Sequence, residues 1–230
     1  MRIPILPLLA GVCAAAPLHA QPPVLTRTTY PPHAEYMMPR AAEIALARTA
    51  APAAVSAHAT VRVLTEAGYQ EAERGDNGFV CMVMRGFAAP TFTPAVFRAL
   101  VYYPSVRAPI CYNPVAARTV IPYQELRARL AMEGKSPDQI TAAVRAAYAD
   151  GTLPRMEQAA FAYMFSAEQE LGPGIGAYHP HVMVFTPNYE NAMVGGNPFG
   201  GELPFVSDDA ATPFAVTVIP VSHELAVGHR

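Results

Sequence analysis

A helix has to begin at Ser136. Ser136-Pro137-Asp138-Gln139 supplies an N-cap hydroxyl, a proline at the first helical position, an acid in the first turn and a glutamine at N3. Ile140, Val144 and Tyr148 then form a buried stripe, and Gly151 and Pro154 end the run. Upstream, Tyr123, Leu126 and Leu130 share one face, and Gly134 fits just past a helix end. Two helices joined by so short a turn make an αα-hairpin, which any fold of this chain must house.

The flanks read as sheet. Ala59 to Leu64, Tyr69 to Glu73 and Phe79 to Met84 are strand candidates separated by the turn signals Glu66-Ala67-Gly68 and Gly75-Asp76-Asn77-Gly78, and they predict a meander. Ala159 to Ser166, His181 to Phe185 and Phe214 to Val221 are rich in residues that suit a pleated surface. Ala41 to Ala51 are helix formers behind Pro39, with Ile44, Ala47 and Ala51 on one face and Pro52 as the stop. The expected fold is α+β, an antiparallel sheet of about five or six strands packed with an N-terminal helix and the central αα-hairpin. Two stretches fall outside this pattern: residues 86–110, with prolines at 90, 94, 104 and 109, and Thr186 to Pro213, both read as long loops.

The amino terminus carries an address. Arg2 is followed by an uncharged run from Ile3 to Ala16, and Leu18-His19-Ala20 places a small residue at a cleavage point. That run of about 14 residues falls short of the about 20 needed to span a bilayer. The expected organisation is a signal peptide over 1–20 cut between Ala20 and Gln21, a flexible or surface-wrapped tail over 21–38 and one domain over 39–230. The alternative is lipidation at Cys13, against which Val12 stands in the place of a small residue. The expected location is secreted or periplasmic. With 52% hydrophobic and 15% charged residues, the chain is rich enough in apolar side chains to bury a core. Loss of Arg2 moves the formal charge from −2 to −3, which disfavours nucleic acid and anionic membrane as partners. No later apolar run reaches spanning length.

Cys81 and Cys111 remain after cleavage. In an oxidising compartment two cysteines read as one disulfide, the alternative being two buried free thiols. A catalytic Cys81 is disfavoured, because its apolar strand raises a thiol pKa.

Candidate chemistry is sparse. His179 and His181 lie two apart, so in an extended chain both imidazoles point the same way. A zinc ion would need a third ligand, for which Glu168, Glu170 and Asp208 are the candidates. The plain alternative is a pair of hydrogen-bonded or surface histidines. Ser222-His223-Glu224 contains triad residue types, but sequence neighbours cannot form a triad. Gly172 to Gly176 and Gly195 to Gly201 read as turns, because neither follows a buried strand and opens a helix. Arg127, Arg129, Lys135 and Arg145 on the hairpin are offset by Glu125, Glu133 and Asp138, which reads as a solvated face rather than a DNA reader. Tyr102, Tyr103, Tyr112 and Tyr123 are candidates for a ligand surface or for half-buried packing.

Asn77-Gly78-Phe79-Val80-Cys81, Pro109-Ile110-Cys111, Phe161-Ala162-Tyr163-Met164 and Pro180-His181-Val182-Met183, in that order, resemble a group of uncharacterised secreted bacterial proteins with NGFxC, PxC and PHVM motifs. The resemblance covers roughly residues 40 to 221 and carries no activity with it. It implies that Cys81 and Cys111 belong together, and it points to His181 rather than His179. Ser166 to Tyr178 departs from the group's usual sequence.

The functional expectation is a non-catalytic binding or envelope-associated protein without a cofactor, its partner a small molecule or an envelope component. A pocket lined by Tyr163, Met183 and loop aromatics would serve it. The alternative is a metal-dependent hydrolase using His179 and His181 with zinc. The enzyme question stays open, leaning to no enzyme.

Overall fold

The computed structural model describes residues 25–91, 95–173, 175–195, 203–207 and 209–228. The expected leader, its cleavage point and Cys13 lie outside them. The strands are β1 (Thr60–Thr65), β2 (Gly68–Glu73), β3 (Val80–Met84), β4 (Ala108–Tyr112), β5 (Phe161–Met164), β6 (His181–Phe185), β7 (Phe205–Val206) and β8 (Val216–Pro220). The helices are α1 (Arg40–Arg48), α2 (Ala53–Ser56), α3 (Pro114–Thr119), α4 (Ile121–Met132), α5 (Pro137–Ala149) and α6 (Asn191–Val194). The molecule mixes α and β around one sheet in the order β2-β1-β3-β4-β5-β6-β8-β7.

Eight strands replace the expected five or six. All six sequence candidates are present, and β4 and β7 are additional. Pro109 hid β4, because a proline cannot donate to a ladder. Its strand tolerates it because on that side β5 pairs only with Cys111 and Tyr112, and the Arg107–Glu170 bridge lies beyond the strand, so no partner is paired with Pro109 itself. β7 has only two residues, too short to announce itself.

The expected meander is also corrected. β2 pairs antiparallel with β1, but β3 lies on the other side of β1 and runs parallel to it. The 74–79 connection therefore crosses the end of β1, where the backbone of Asp76 and Asn77 donates to the His58 carbonyl. Gly75 makes that crossing possible: a Cβ there would sit 2.2 Å from the His58 oxygen. All other neighbouring strands are antiparallel.

Alternation along the central strands divides the core in two. Cys81, Val83 and Cys111 join Val61 and the alanines Ala47, Ala50 and Ala51 on the α1 side. Met82, Met84, Ile110 and Tyr112 cluster with Ile121, Ala128, Ile140 and Val144 of α4 and α5 on the other side. The capping box at Ser136 forms with both of its hydrogen bonds, and Gly134 and Gly151 adopt positive φ at the helix ends. Asn113 caps α3 by accepting from the Ala116 N–H, with Pro114 at the first position.

The stretch 86–110, expected as loop, contains 3₁₀ segments at Gly86–Thr91 and Ala95–Tyr102 before β4. Gly86 lets the two segments touch through backbone, since a Cβ would meet the Leu100 carbonyl oxygen at 2.0 Å. A disulfide joins Cys81 to Cys111, which are opposite partners in the β3–β4 register. Residues 25–38 run along the body. Thr26 and Arg27 donate their N–H groups to the Tyr103 hydroxyl, the Tyr30 hydroxyl donates to the Lys135 carbonyl, and Tyr36 is buried.

Candidate functional site

An open cleft of about 350 Å³ is lined by Arg145, Tyr148, Ala149, Arg155, Pro213 and Phe214. Local sequence explains its walls. Arg145, Tyr148 and Ala149 are three and four residues apart on α5, so they share one face. Gly151 then turns the chain back, which returns Arg155 to the rim. Pro213 and Phe214 approach from just ahead of β8.

Phe214 organises the floor. Its ring stacks on Tyr123 at 5.2 Å, meets Tyr148 edge-on at 5.1 Å and lies 5.9 Å from the Arg145 guanidinium. Arg145 and Arg155 are exposed, and neither has an ion-pair or hydrogen-bond partner among the described residues. Two exposed cations without an ion pair among the described residues, beside the half-buried Tyr148 ring, suit an anion with a planar apolar body.

Behind Phe214 lies a buried polar network. Arg127 places its guanidinium 3.6 Å from the Tyr123 ring centre, and donates to the Ala88 carbonyl and the Thr91 hydroxyl oxygen. Thr91 and Tyr123 share a hydroxyl–hydroxyl bond of 2.6 Å. This arginine is 2% exposed, so the sequence reading of it as part of a solvated helix face is corrected: α4 turns it inward onto the 3₁₀ segments. Burial lowers its pKa.

Asp209 completes the network and is 4% exposed. Burial pushes its carboxyl up to about 6, against the pull of Arg127, Arg145, the Thr91 hydroxyl and Arg98. Its Oδ1 has no hydrogen-bond partner among the described residues. The raised value has a definite sign for stability. Below pH 3.8 folded and unfolded chains both hold the proton, and nothing is lost. Between 3.8 and about 6 the unfolded chain ionises first, so stability falls as pH rises. Asp209→Asn is therefore expected to match the wild type near pH 4 and to exceed it by about 2–3 kcal/mol at pH 7. Urea unfolding at the two pH values measures this; an equal difference at both would refute it.

The histidines sit elsewhere. His181 is buried, its Nδ1 lies 2.7 Å from the His179 carbonyl oxygen, and burial lowers its pKa to about 4. Glu170 accepts from the Gly172 N–H and pairs its backbone with Arg107. Asp208 lies outside the described residues. Among the described residues, no three His, Cys, Asp or Glu side chains are placed to hold a metal. Ser222 caps its own turn by accepting from the Glu224 N–H, as N-cap of a short 3₁₀ segment.

Comparison with known protein families, curated proteins and solved structures finds no match.

The expected pocket over Tyr163 and Met183 does not form among the described residues. Ala162 is the register partner of Met183 and Val182 that of Tyr163, so the two side chains lie on opposite faces. Tyr163 packs on the α1 side and Met183 on the α4–α5 side. Tyr102, Tyr112 and Tyr123 are buried packing, and the Tyr103 hydroxyl is engaged with the N-terminal segment. Of the long loop 186–213, Asn191 pins β7 by donating to the Val206 carbonyl and accepting from its N–H. Of the second glycine-rich stretch, Gly195 ends α6 with positive φ, and residues 196–201 lie outside the described residues.

Sequence reading missed the cleft. Its one local trace was the Arg145–Tyr148 spacing on α5; Arg155 and Phe214 come from segments that no pattern connects.

Proposed function

We propose that this chain is an exported, non-catalytic binding domain that holds a small anion with a flat apolar body in the Arg145–Phe214 cleft. The observation that carries this reading is the pair of exposed guanidinium groups that make no ion pair among the described residues and flank a cleft walled by aromatic side chains. Among the described residues the cleft is lined by two arginines with Tyr148, Ala149, Pro213 and Phe214, groups that hold and orient an anion. The buried disulfide and the signal-like residues 1–20 support export, and no helix of the described residues is long and apolar enough to cross a membrane.

Phenyl phosphate and benzoate are suitable probes. Calorimetric titration is expected to show one site per chain, weakening as salt rises. Each charge-assisted contact contributes about 1.5–3 kcal/mol. Arg145→Ala with Arg155→Ala should therefore weaken binding at least 100-fold while leaving the melting temperature within a few degrees. Absence of saturable binding by either probe, or binding unaffected by the double substitution, overturns the assignment.

A further inference from the structure

We propose that His179 and His223 form a surface site for a divalent transition-metal ion, with copper(II) as the tightest occupant. The two imidazole rings come from separate segments and lie 4.3 Å apart, centre to centre, tilted by 45°. The sheet brings them together. His181 of β6 is opposite Pro220 of β8, and the Val221 N–H extends that ladder by donating to the Pro180 carbonyl. The two residues ahead of β6, His179 and Pro180, and the turn after the end of β8 therefore share one sheet end.

Both backbones are held in place. Gln169, itself buried, donates its side-chain amide to the Tyr178 and His179 carbonyls. The Tyr178 ring packs edge-on against His179 at 5.3 Å and against His181 at 5.4 Å. On the other side, the Ser222 hydroxyl fixes the 3₁₀ turn His223–Leu225. The His179 carbonyl is thus fixed by Gln169 and the ring of His181, which makes His181 a positioning residue for His179.

The spacing fits chelation. Imidazole nitrogens bind such ions at about 2.0–2.1 Å, so two rings on one ion have centres about 4.5–5 Å apart. Less than 1 Å of opening at two surface side chains reaches that separation. Copper(II) heads the affinity order among the divalent ions that imidazole favours. Among the described residues no third imidazole, thiolate or carboxylate joins the pair, so the proposed site has two protein nitrogens. The site shares no residue with the Arg145–Phe214 cleft, so neither proposal depends on the other.

The test titrates copper(II) sulfate into the intact protein at pH 7.5, with calorimetry for stoichiometry and electron paramagnetic resonance for ligand type. One ion per chain is expected, with nitrogen hyperfine structure from two imidazoles. His179→Ala, His223→Ala and His223→Gln should each weaken binding at least tenfold and simplify the nitrogen pattern. His58→Ala, which changes an exposed histidine paired with Asp76, should leave both unchanged. Affinity within twofold of the wild type in the folded His223 variants, or a signal without two imidazole nitrogens, overturns the proposal.

Discussion

Arg85→Met is expected to lower stability by about 3–5 kcal/mol, the largest single-residue loss in this fold. Arg85 and Glu43 are each 0% exposed in their side chains and approach to 2.9 Å. The arginine also donates from Nε to the Tyr36 carbonyl and from Nη1 to the Val83 carbonyl, while Glu43 accepts from the Leu64 N–H. Removing the cation strands a carboxylate whose Oε2 already lacks a hydrogen-bond partner among the described residues, at a position sealed from solvent. Replacing both members, Glu43→Leu with Arg85→Met, removes the stranded charge and is expected to recover most of the loss. Urea midpoints of the two variants measure the difference. A single variant within 1 kcal/mol of the wild type would refute the idea.

Cys81→Ala with Cys111→Ala is the second large effect. The bridge spans 30 positions in sequence. Closing such a loop in the unfolded chain contributes about 3–4 kcal/mol in the entropic account. Both sulfurs are fully buried between β3 and α1, so the native protein should resist dithiothreitol until it opens. Mass analysis after thiol trapping is expected to show slow reduction in buffer and fast reduction in urea. Equal rates in both solvents would mean that the bridge is exposed in the native state.

The legible parts of this fold were those written in local chemistry. The Ser136 cap set the start of α5 to the residue, and strand-favouring composition between turn signals found six of the eight strands. Pairing was less legible. Nothing near Glu73 says that the chain will cross β1 and return parallel to it; Gly75 is the trace, and it reads equally well as an ordinary turn. The expected stripe of Ile44, Ala47 and Ala51 does pack inward, Ala51 from just beyond the end of α1, but Glu43 joins it unannounced, because a glutamate does not look like a core residue until Arg85 stands opposite it. α3 carried a readable signal in Asn113-Pro114, an N-cap followed by a first-turn proline. The cleft and the His179–His223 pair were illegible for one shared reason: each joins segments far apart in the chain.

The Arg85 guanidinium takes one of its acceptors from the Tyr36 carbonyl, the Tyr36 ring lies 4.6 Å from Phe87, and its hydroxyl reaches the Val101 carbonyl. The stretch ahead of the first helix is thus a plug seated in the body rather than a leash trailing from it. Shortened versions of the protein designed for expression should retain it; a chain begun at Arg40 would open a hole over a buried guanidinium that has lost the acceptor of its Nε–H.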